Sequence, residues 1–348
     1  MTVTKLGGAF ALPLALCAIP AAAQDTSSEE IAVTALRPDA HGPAGTMADH
    51  VHKAGDLMIG LTWMHEEASG TNRSGTADIS DAGVVAAGFT SRTKAMTMDM
   101  AMLHVMWAPS DRVTLMAVPS WQTMDMTMLG LVTSAHHGHT LAAGETMQHR
   151  VSGIGDTQVG ALVSLSRNPR LSVIAGMGVS VPTGSVQRKD ADGNFVHYGM
   201  QPGSGTWDLL PSFTLRGTEE QFGWGLQASY VFRAEDRGPS GFRFGDRFVA
   251  TGWLSRPVTH AVSLSTRLTW TDEGDVKGHY NAGHNHAAPP DRQANYGGQR
   301  LDAALGSNLT LGETMRLGIE ASLPVFQRLN GIQPPRRFAT SLQVSRMF

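Results

Sequence analysis

The sequence predicts an all-β fold, a transmembrane antiparallel up-and-down β-barrel of about twelve strands. Three observations support this. The chain ends in a strand of alternating residues that closes on the aromatic Phe348. Period-two alternation recurs along the chain, with short and long connections in turn. A secretory signal comes first, and no later apolar run reaches the ~20 residues that a spanning helix needs. The lipid partner expected for such a chain is the bacterial outer membrane.

Residues 1–23 have the three parts of a signal peptide. Lys5 supplies the positive charge, residues 6–20 supply the apolar stretch, and an Ala-Ala-Ala run before Gln24 supplies the small-residue cleavage site. The only cysteine, Cys17, lies within this segment. We therefore expect a mature chain without disulfides, thiolate metal sites or cysteine nucleophiles.

Residues 24–53 are polar and interrupted by Pro and Gly, so we expect a flexible periplasmic leader ahead of a barrel over residues 54–348. Within the leader, Glu30–Ala35 resembles the segment through which energised outer-membrane receptors add a strand to a TonB-like periplasmic partner. Those receptors have a plug domain and a larger barrel, for which this chain has no room. A second expectation is that the leader enters the lumen and presents His50 and His52 there.

Twelve segments have strand periodicity, at approximately 55–65, 95–107, 112–128, 153–166, 171–182, 205–216, 222–233, 244–256, 260–271, 300–310, 315–326 and 338–348. Five connections between them are tight, at 108–112, 166–170, 217–221, 256–259 and 311–314. Six are long, at 66–94, 129–152, 183–204, 234–243, 272–299 and 327–337. Short periplasmic turns alternating with long outer loops are typical of outer-membrane barrels. A soluble β-sandwich gives no reason for this asymmetry.

Alternation also assigns the two faces of each strand. In segment 222–233, aromatic and aliphatic residues share one face, which suits lipid, and small or polar residues share the other, which suits a lumen. The same rule turns five charged residues inward: Arg216, Arg267, Asp302, Arg316 and Glu320. We expect ion pairs among them, because Arg or Lys facing mid-bilayer lipid costs ~2–4 kcal/mol. These charges either brace and hydrate the lumen or select solutes.

Half of the 18 methionines lie between residues 96 and 128, all at even positions, and His104 shares their parity. We call this set the methionine row: Met96, Met98, Met100, Met102, His104, Met106, Met116, Met124, Met126 and Met128. Leu103, Trp107 and Leu115 have the opposite parity and suit lipid, so the row is predicted to face the lumen. Thioethers and imidazole select soft ions such as Cu(I) and Ag(I), here as transported ions rather than cofactors. The alternative is that methionine only fills gaps in a narrow lumen.

Histidines cluster in three further places. His50 and His52 lie in the leader and are candidate ligands beside the methionine row. The other two clusters lie in long loops, one with His136, His137 and His139 and one with His279, His284 and His286. His-rich loops capture Cu²⁺ or Zn²⁺, but none of these clusters has the spacing of a closed site, and solvated loop histidines are the simpler interpretation.

Two function classes are disfavoured. The net charge of −3 argues against a general nucleic-acid binder. The GxSxG motif is absent, and no serine motif lies next to His104 or His260, so we expect no enzyme.

Phrases along the chain resemble a family of bacterial outer-membrane transport proteins, typified by the phenol meta-cleavage-pathway outer-membrane protein. The phrases are Gly153–Asp156, Val181–Gly184, Gly203–Asp208, Leu323–Phe326 and Asn330–Gly331. The methionine row, with His50–His52 and Trp107–Arg112, resembles a Met/His-rich branch found beside copper-resistance functions. The resemblance implies a barrel that moves small molecules and supplies no catalytic residues. We therefore expect a channel for soft metal ions, copper first. The alternatives are a pore for small hydrophobic or aromatic compounds, and a non-transport barrel that is structural or binds metal at its surface.

Overall fold

The computed structural model describes residues 37–132, 141–168 and 170–348. The predicted signal peptide, the Glu30–Ala35 segment and the His136–His139 cluster lie outside the described residues. Within them, the barrel strands are β1 Leu57–Ser69, β2 Ser91–Ser110, β3 Val113–Val118 with Ser120–Gly130, β4 Thr146–Ile154 with Thr157–Asn168, β5 Leu171–Val181, β6 Asp208–Thr218, β7 Gly223–Arg233, β8 Arg247–Pro257, β9 Val262–Glu273, β10 Gly298–Leu311, β11 Met315–Gln333 and β12 Arg336–Met347.

These strands form one closed antiparallel barrel. Each strand pairs with its neighbour in the sequence, and β1 pairs with both β2 and β12, which closes the cylinder. β3 counts as one strand because β2 pairs with both of its parts across the break at Pro119, where the backbone has no N–H to donate. The two parts of β4 pair with the two parts of β3 in the same way. The predicted fold class and strand number are confirmed.

The two ends of the barrel differ. At the end that we call the turn end, the described connections are at most four residues long, and β1 begins and β12 ends there. At the opposite loop end, long segments connect the strands, including a short helix, α1, Asp81–Ala86. One expected long loop, 327–337, is instead the tip of a hairpin, because β11 and β12 continue to residues 333 and 336 and β11 also pairs with the short strand Arg73–Gly75. Polar residues in this stretch are tolerated because the hairpin extends past the lipid-facing band.

The outer surface of the barrel is apolar between two aromatic bands. Leu226, Leu254 and Leu305 are among the exposed aliphatic side chains between the bands. Exposed aromatic residues lie near the two rims, with Trp107, Phe222 and Phe348 at the turn end and Trp207, Phe232, Phe248 and Phe326 at the loop end. This arrangement matches the lipid-facing surface of outer-membrane barrels. The protein is therefore a bacterial outer-membrane protein.

None of the helices in the described part of the chain is long and apolar enough to cross a membrane.

The lumen is occupied from both ends. Residues 37–53, which we call the plug, lie in its turn-end half and receive hydrogen bonds from strand side chains. Residues of the loops after β5, β7 and β9 pack at the loop end around Tyr198, which is fully buried. The sequence predicts a flexible leader at 24–53. Its described part is folded against the barrel wall.

Candidate functional site

The methionine row lines the inside of the barrel. On β2, Met102, His104 and Met106 are buried, whereas Leu103 and Trp107 are exposed on the outer face. On β3, Met124, Met126 and Met128 are likewise buried. Met96, Met98, Met100 and Met116 have the same parity and intermediate exposure. The sequence analysis assigned the even-numbered residues of these two strands to the lumen, and in the fold their side chains face the lumen.

The register places methionines opposite one another on adjacent strands. The directly opposed pairs among β1, β2 and β3 are Met96 with Met126, Met98 with Met124, Met106 with Met116, Met100 with Met64, and Met106 with Met58. Cβ atoms of directly opposed residues lie ~4.5–5.5 Å apart, so the thioether groups are within reach of one another. Met58 and Met64 of β1 were missed by the sequence analysis, although both have even numbers within a predicted strand.

The row runs along most of the lumen. At the loop end, Met124, Met126 and Met128 form a buried cluster with Met200 from the loop after β5. At the turn end, Met58 and Met106 form a second cluster, against which Met116, Met347, Ala48 and Val51 pack. Ala48 and Val51 belong to the plug, so the plug packs against the turn end of the methionine row.

Two buried histidine side chains lie near the turn end of the row. His104, between Met102 and Met106, is 6% exposed, and His52 of the plug is 5% exposed. In each, Nε2 has no hydrogen-bond partner among the described residues. Burial, together with the charge of His50, lowers the pKa of His52 to about 3, although the Asp49 carboxylate acts in the opposite direction. The His52 ring is therefore neutral at pH 7, which is the form that binds metal ions.

Polar side chains of the barrel wall hold the plug by its backbone. Gln227 Nε2 donates to Met47 O at 2.9 Å, Ser263 Oγ donates to Pro38 O at 2.9 Å, and Asn308 Nδ2 donates to Gly42 O at 3.4 Å. Arg216 donates to the carbonyls of Ala40 and Asp49. In return, His52 N–H donates to Thr114 Oγ1 at 2.9 Å. These bonds satisfy backbone groups that would otherwise be buried without partners.

The predicted lumen charges are paired or in contact with the plug. Arg267 and Glu320 form a bidentate ion pair, with 2.9 Å between Nε and Oε2. The backbone of Gly45 lies so close to this pair that a Cβ there would contact both charged groups. Arg216 Nη1 lies 3.7 Å from Asp49 Oδ2, and Arg316 lines the same turn-end cavity as Asp49.

Asp302 belongs to a second charge network, nearer the loop end. It accepts hydrogen bonds from Arg300 at 2.8 Å and from Arg336 at 3.3 Å, and Arg336 also pairs with Glu66 at 3.1 Å. Glu66 lies opposite Met98 on the neighbouring strand. The lumen wall is therefore rich in thioether groups on β1–β3. The charged residues of β10 and β12 lie next to it, beginning at the ion pair between Arg336 and Glu66.

One cavity is lined by loop-end members of the methionine row, and another is lined by Met58, which lies opposite Met106 of the row. The turn-end cavity has a volume of about 550 Å³ and is lined by His41, His50, His52, Met58 and Met347, among others. The loop-end cavity has a volume of about 330 Å³, and its lining includes Met96, Met126, Arg300 and Arg336. A small solute that enters either cavity meets thioether groups.

Aromatic side chains pack together at the loop end. The Tyr198 and Tyr280 rings stack with 4.3 Å between centroids, and Phe195 stacks on the other side of Tyr280 at 4.4 Å. Two histidines of the loop after β9, His284 and His286, contact each other with 4.3 Å between ring centroids.

Three of the five phrases that carry the family resemblance meet at one place in the fold, and the other two lie on β11. Asp156, at the break in β4, accepts hydrogen bonds from Gly184 N at 3.0 Å and from Ser204 N at 2.8 Å. The backbones of Gly184 and Gly203 approach so closely that neither has room for a Cβ. These residues fasten the loop after β5 to the wall, so their role is structural.

The family described as "Putative MetA-pathway of phenol degradation" matches residues 120–320, more than half of the chain. The chain belongs to this family. Among solved structures, an outer membrane channel from Pseudomonas putida F1 has a TM-score of 0.58 at 16% identity, over 87% of this chain and 99% of that chain. The NanC porin has a TM-score of 0.40 at 10% identity, over 84% and 99%. A deletion mutant of TodX, a monoaromatic hydrocarbon channel, has 0.39 at 10%, over 88% and 92%. No curated protein sequence matches the chain.

At these identities the structural likeness concerns the fold alone. The family match begins at residue 120, in β3, so the plug, β1 and β2 precede it. Membership of the phenol-degradation family therefore covers the loop anchors at Asp156 and Gly184 but not Met96–Met106. The resemblance to a Met/His-rich, copper-associated branch stays a prediction.

Proposed function

We propose that the protein is an outer-membrane channel for small solutes and that its preferred cargo is a soft metal ion, Cu(I) or Ag(I). One observation carries this proposal. Methionines face one another in pairs across β1, β2 and β3 along the lumen, between a cavity at each end. A soft ion needs thioether or imidazole ligands in place of its water, and weak neutral ligands repeated along a path release it again.

The distribution of charge supports the same cargo. The buried faces of β2 and β3 carry thioether and hydroxyl groups, and their acidic residues Asp99 and Asp125 lie on the outer face, where they pair with His65 and Arg150. The sulfur-lined faces of β2 and β3 favour soft monovalent ions over hard divalent ones, and the neighbouring carboxylate, Glu66 of β1, is paired with Arg336. His104, with its unpaired Nε2, is the strongest single ligand near the turn end of the row.

The runner-up is a pore for small hydrophobic or aromatic compounds. The specific observation in its favour is that Met124, Met126, Met128 and Met200 pack with Val151 and Val196 into an apolar cluster at the loop end. Flexible methionine surfaces adapt to varied apolar solutes. The two cargoes differ in one requirement, because an apolar solute accepts leucine in place of methionine and a metal ion does not.

Changing Met98, Met100, Met102 and His104 together to Leu tests this difference. We expect the barrel to assemble normally, because leucine keeps the volume and apolar character. Copper and silver tolerance of a strain that depends on this protein should change by at least about tenfold, the effect of ~1.4 kcal/mol of lost binding. X-ray absorption of the purified barrel with Cu(I) should show sulfur ligation that falls in the variant.

The matched control is Met177→Leu on β5, because this methionine is 57% exposed on the outer face. Its substitution should leave metal tolerance and sulfur ligation unchanged. Equal metal tolerance in the fourfold variant and the parent would refute the metal cargo. Unchanged flux of an aromatic solute through both proteins, with no metal effect, would favour the runner-up.

A further inference from the structure

The plug folds back on itself so that residues far apart along it meet. Gly42 N donates to Asp49 Oδ2 at 2.8 Å, and Thr46 N donates to Pro43 O at 2.8 Å. Ala48 has φ of +56°, a left-handed conformation that is uncommon for a residue with a side chain. This turn reverses the chain just before Asp49 and brings it beside His41.

The reversal gathers three metal-ligating side chains. One ligand atom from each of His41, Asp49 and His50 lies within 4.8 Å of the other two. The His41 and His50 rings meet edge to face with 4.3 Å between centroids, and His50 Nδ1 lies 2.7 Å from Asp49 Oδ1. Ligands of a tetrahedral ion with bonds of ~2.1 Å lie roughly 3.4 Å apart, so side-chain adjustments of about 1 Å complete the set.

We propose that His41, Asp49 and His50 form a site for a divalent transition ion, Cu²⁺ or Zn²⁺, and that the bound ion fastens the plug. Two imidazoles and a carboxylate suit these ions, whereas Ca²⁺ and Mg²⁺ need six or more oxygen ligands. All three side chains line the turn-end cavity, which His52 also lines. The site differs from the methionine row in ligand type and in the oxidation state of copper that it prefers, so it does not depend on the cargo.

The surroundings of Asp49 prepare it as a ligand. Arg216 Nη1 lies 3.7 Å from Asp49 Oδ2, and Gly42 N donates to the same oxygen at 2.8 Å, so a positive charge and a hydrogen bond favour the ionised carboxylate. Asp49 is therefore ionised at neutral pH.

An ion bound to both His41 and His50 would link the two ends of the plug segment that the barrel wall holds. Met47 O and Gly42 O, which accept hydrogen bonds from Gln227 and Asn308, lie between the ligands His41 and His50. An ion that ties residue 41 to residue 50 keeps these carbonyls in place. The plug therefore becomes harder to withdraw from the lumen when a divalent ion is bound at the turn end.

The test uses the full mature chain, folded in detergent, with Zn²⁺ or Cu²⁺ alone as the probe. The double variant His41→Gln/His50→Gln is compared with His284→Gln/His286→Gln, which removes two contacting histidines from a loop. We expect titration calorimetry to show Zn²⁺ affinity at least about tenfold lower in the plug variant and unchanged in the loop variant. The electron paramagnetic resonance spectrum of Cu²⁺ should lose its nitrogen couplings in the plug variant only.

Hydrogen exchange of residues 37–53 supplies a readout that does not depend on affinity. Zn²⁺ should slow exchange in the parent and in the loop variant and leave it unchanged in the plug variant. Equal Zn²⁺ affinity in parent and plug variant, or loss in the loop variant instead, would overturn the site. The fourfold methionine-row variant should keep the Zn²⁺ site, so failure of the channel proposal and failure of this one are distinguishable.

Discussion

Deletion of residues 37–53 is expected to open the turn end of the barrel to solutes. The plug covers Ser263 of β9, which is 0% exposed and whose hydroxyl donates to Pro38 O. Because the predicted mature chain has no cysteine, Ser263→Cys makes a single reporter thiol. Labelling of this thiol by a small charged reagent should be more than about tenfold faster without the plug, since an opening free energy of only ~1.4 kcal/mol slows such a reaction tenfold.

A cysteine at His260, an exposed position in the turn before β9, provides the control and should react at one rate with or without the plug. The substitution Gly45→Trp tests the same idea without deletion, because a side chain at Gly45 collides with Arg267 and Glu320. It should raise the labelling rate of Ser263→Cys in the full-length chain. Equal rates at Ser263→Cys in all three proteins would mean that residues 37–53 do not control access.

Single-channel recording adds the consequence for transport. The deletion should raise conductance across a planar bilayer, unless the aromatic packing around Tyr198 and Tyr280 forms a second barrier at the loop end. A faster-labelling protein with unchanged conductance would assign the remaining barrier to these loops. Access through the turn end and access through the loop end can therefore be tested separately.

The fold followed from the sequence because one rule governs every barrel strand. Side chains alternate between lipid and lumen, so Leu226 and Gln227, or Ile319 and Glu320, reveal their faces without any tertiary information. The rule fails where strands leave the lipid. In the tip of the β11–β12 hairpin, Gly331 and Pro334–Pro335 interrupt the alternation, so the segment was predicted as a loop although it is paired.

The candidate site was predictable only in part, for a related reason. Membership of the methionine row depends on parity alone, which the sequence contains. The same parity criterion applies to Met58 and Met64 of β1. The cluster of His41 with Asp49 depends instead on the left-handed Ala48 and on the hydrogen bond from Gly42, and neither leaves a periodic pattern. The position of the plug depends on contacts such as Ser263 with Pro38, which are 225 residues apart.

The substitution Glu320→Ala is expected to cause the largest loss of stability. Glu320 and Arg267 have side chains that are 3% and 12% exposed, and their ion pair is covered by Gly45 of the plug. Removing one partner of a buried pair leaves the other charge without compensation, at a cost of about 3–5 kcal/mol. Denaturant unfolding of the barrel in lipid vesicles should show this decrease in the free energy of unfolding.

The double variant Arg267→Met/Glu320→Leu should recover most of that loss, because it removes both charges and keeps the volume. The control pair is Arg73 with Asp78, whose side chains are 31% and 62% exposed. Asp78→Ala should cost no more than about 1 kcal/mol, since exposed pairs contribute little. If Glu320→Ala and Asp78→Ala cost the same, water already screens the Arg267 charge inside the lumen. The turn-end half would then be hydrated around the plug, and the pair would serve to position Gly45 rather than to stabilise the barrel.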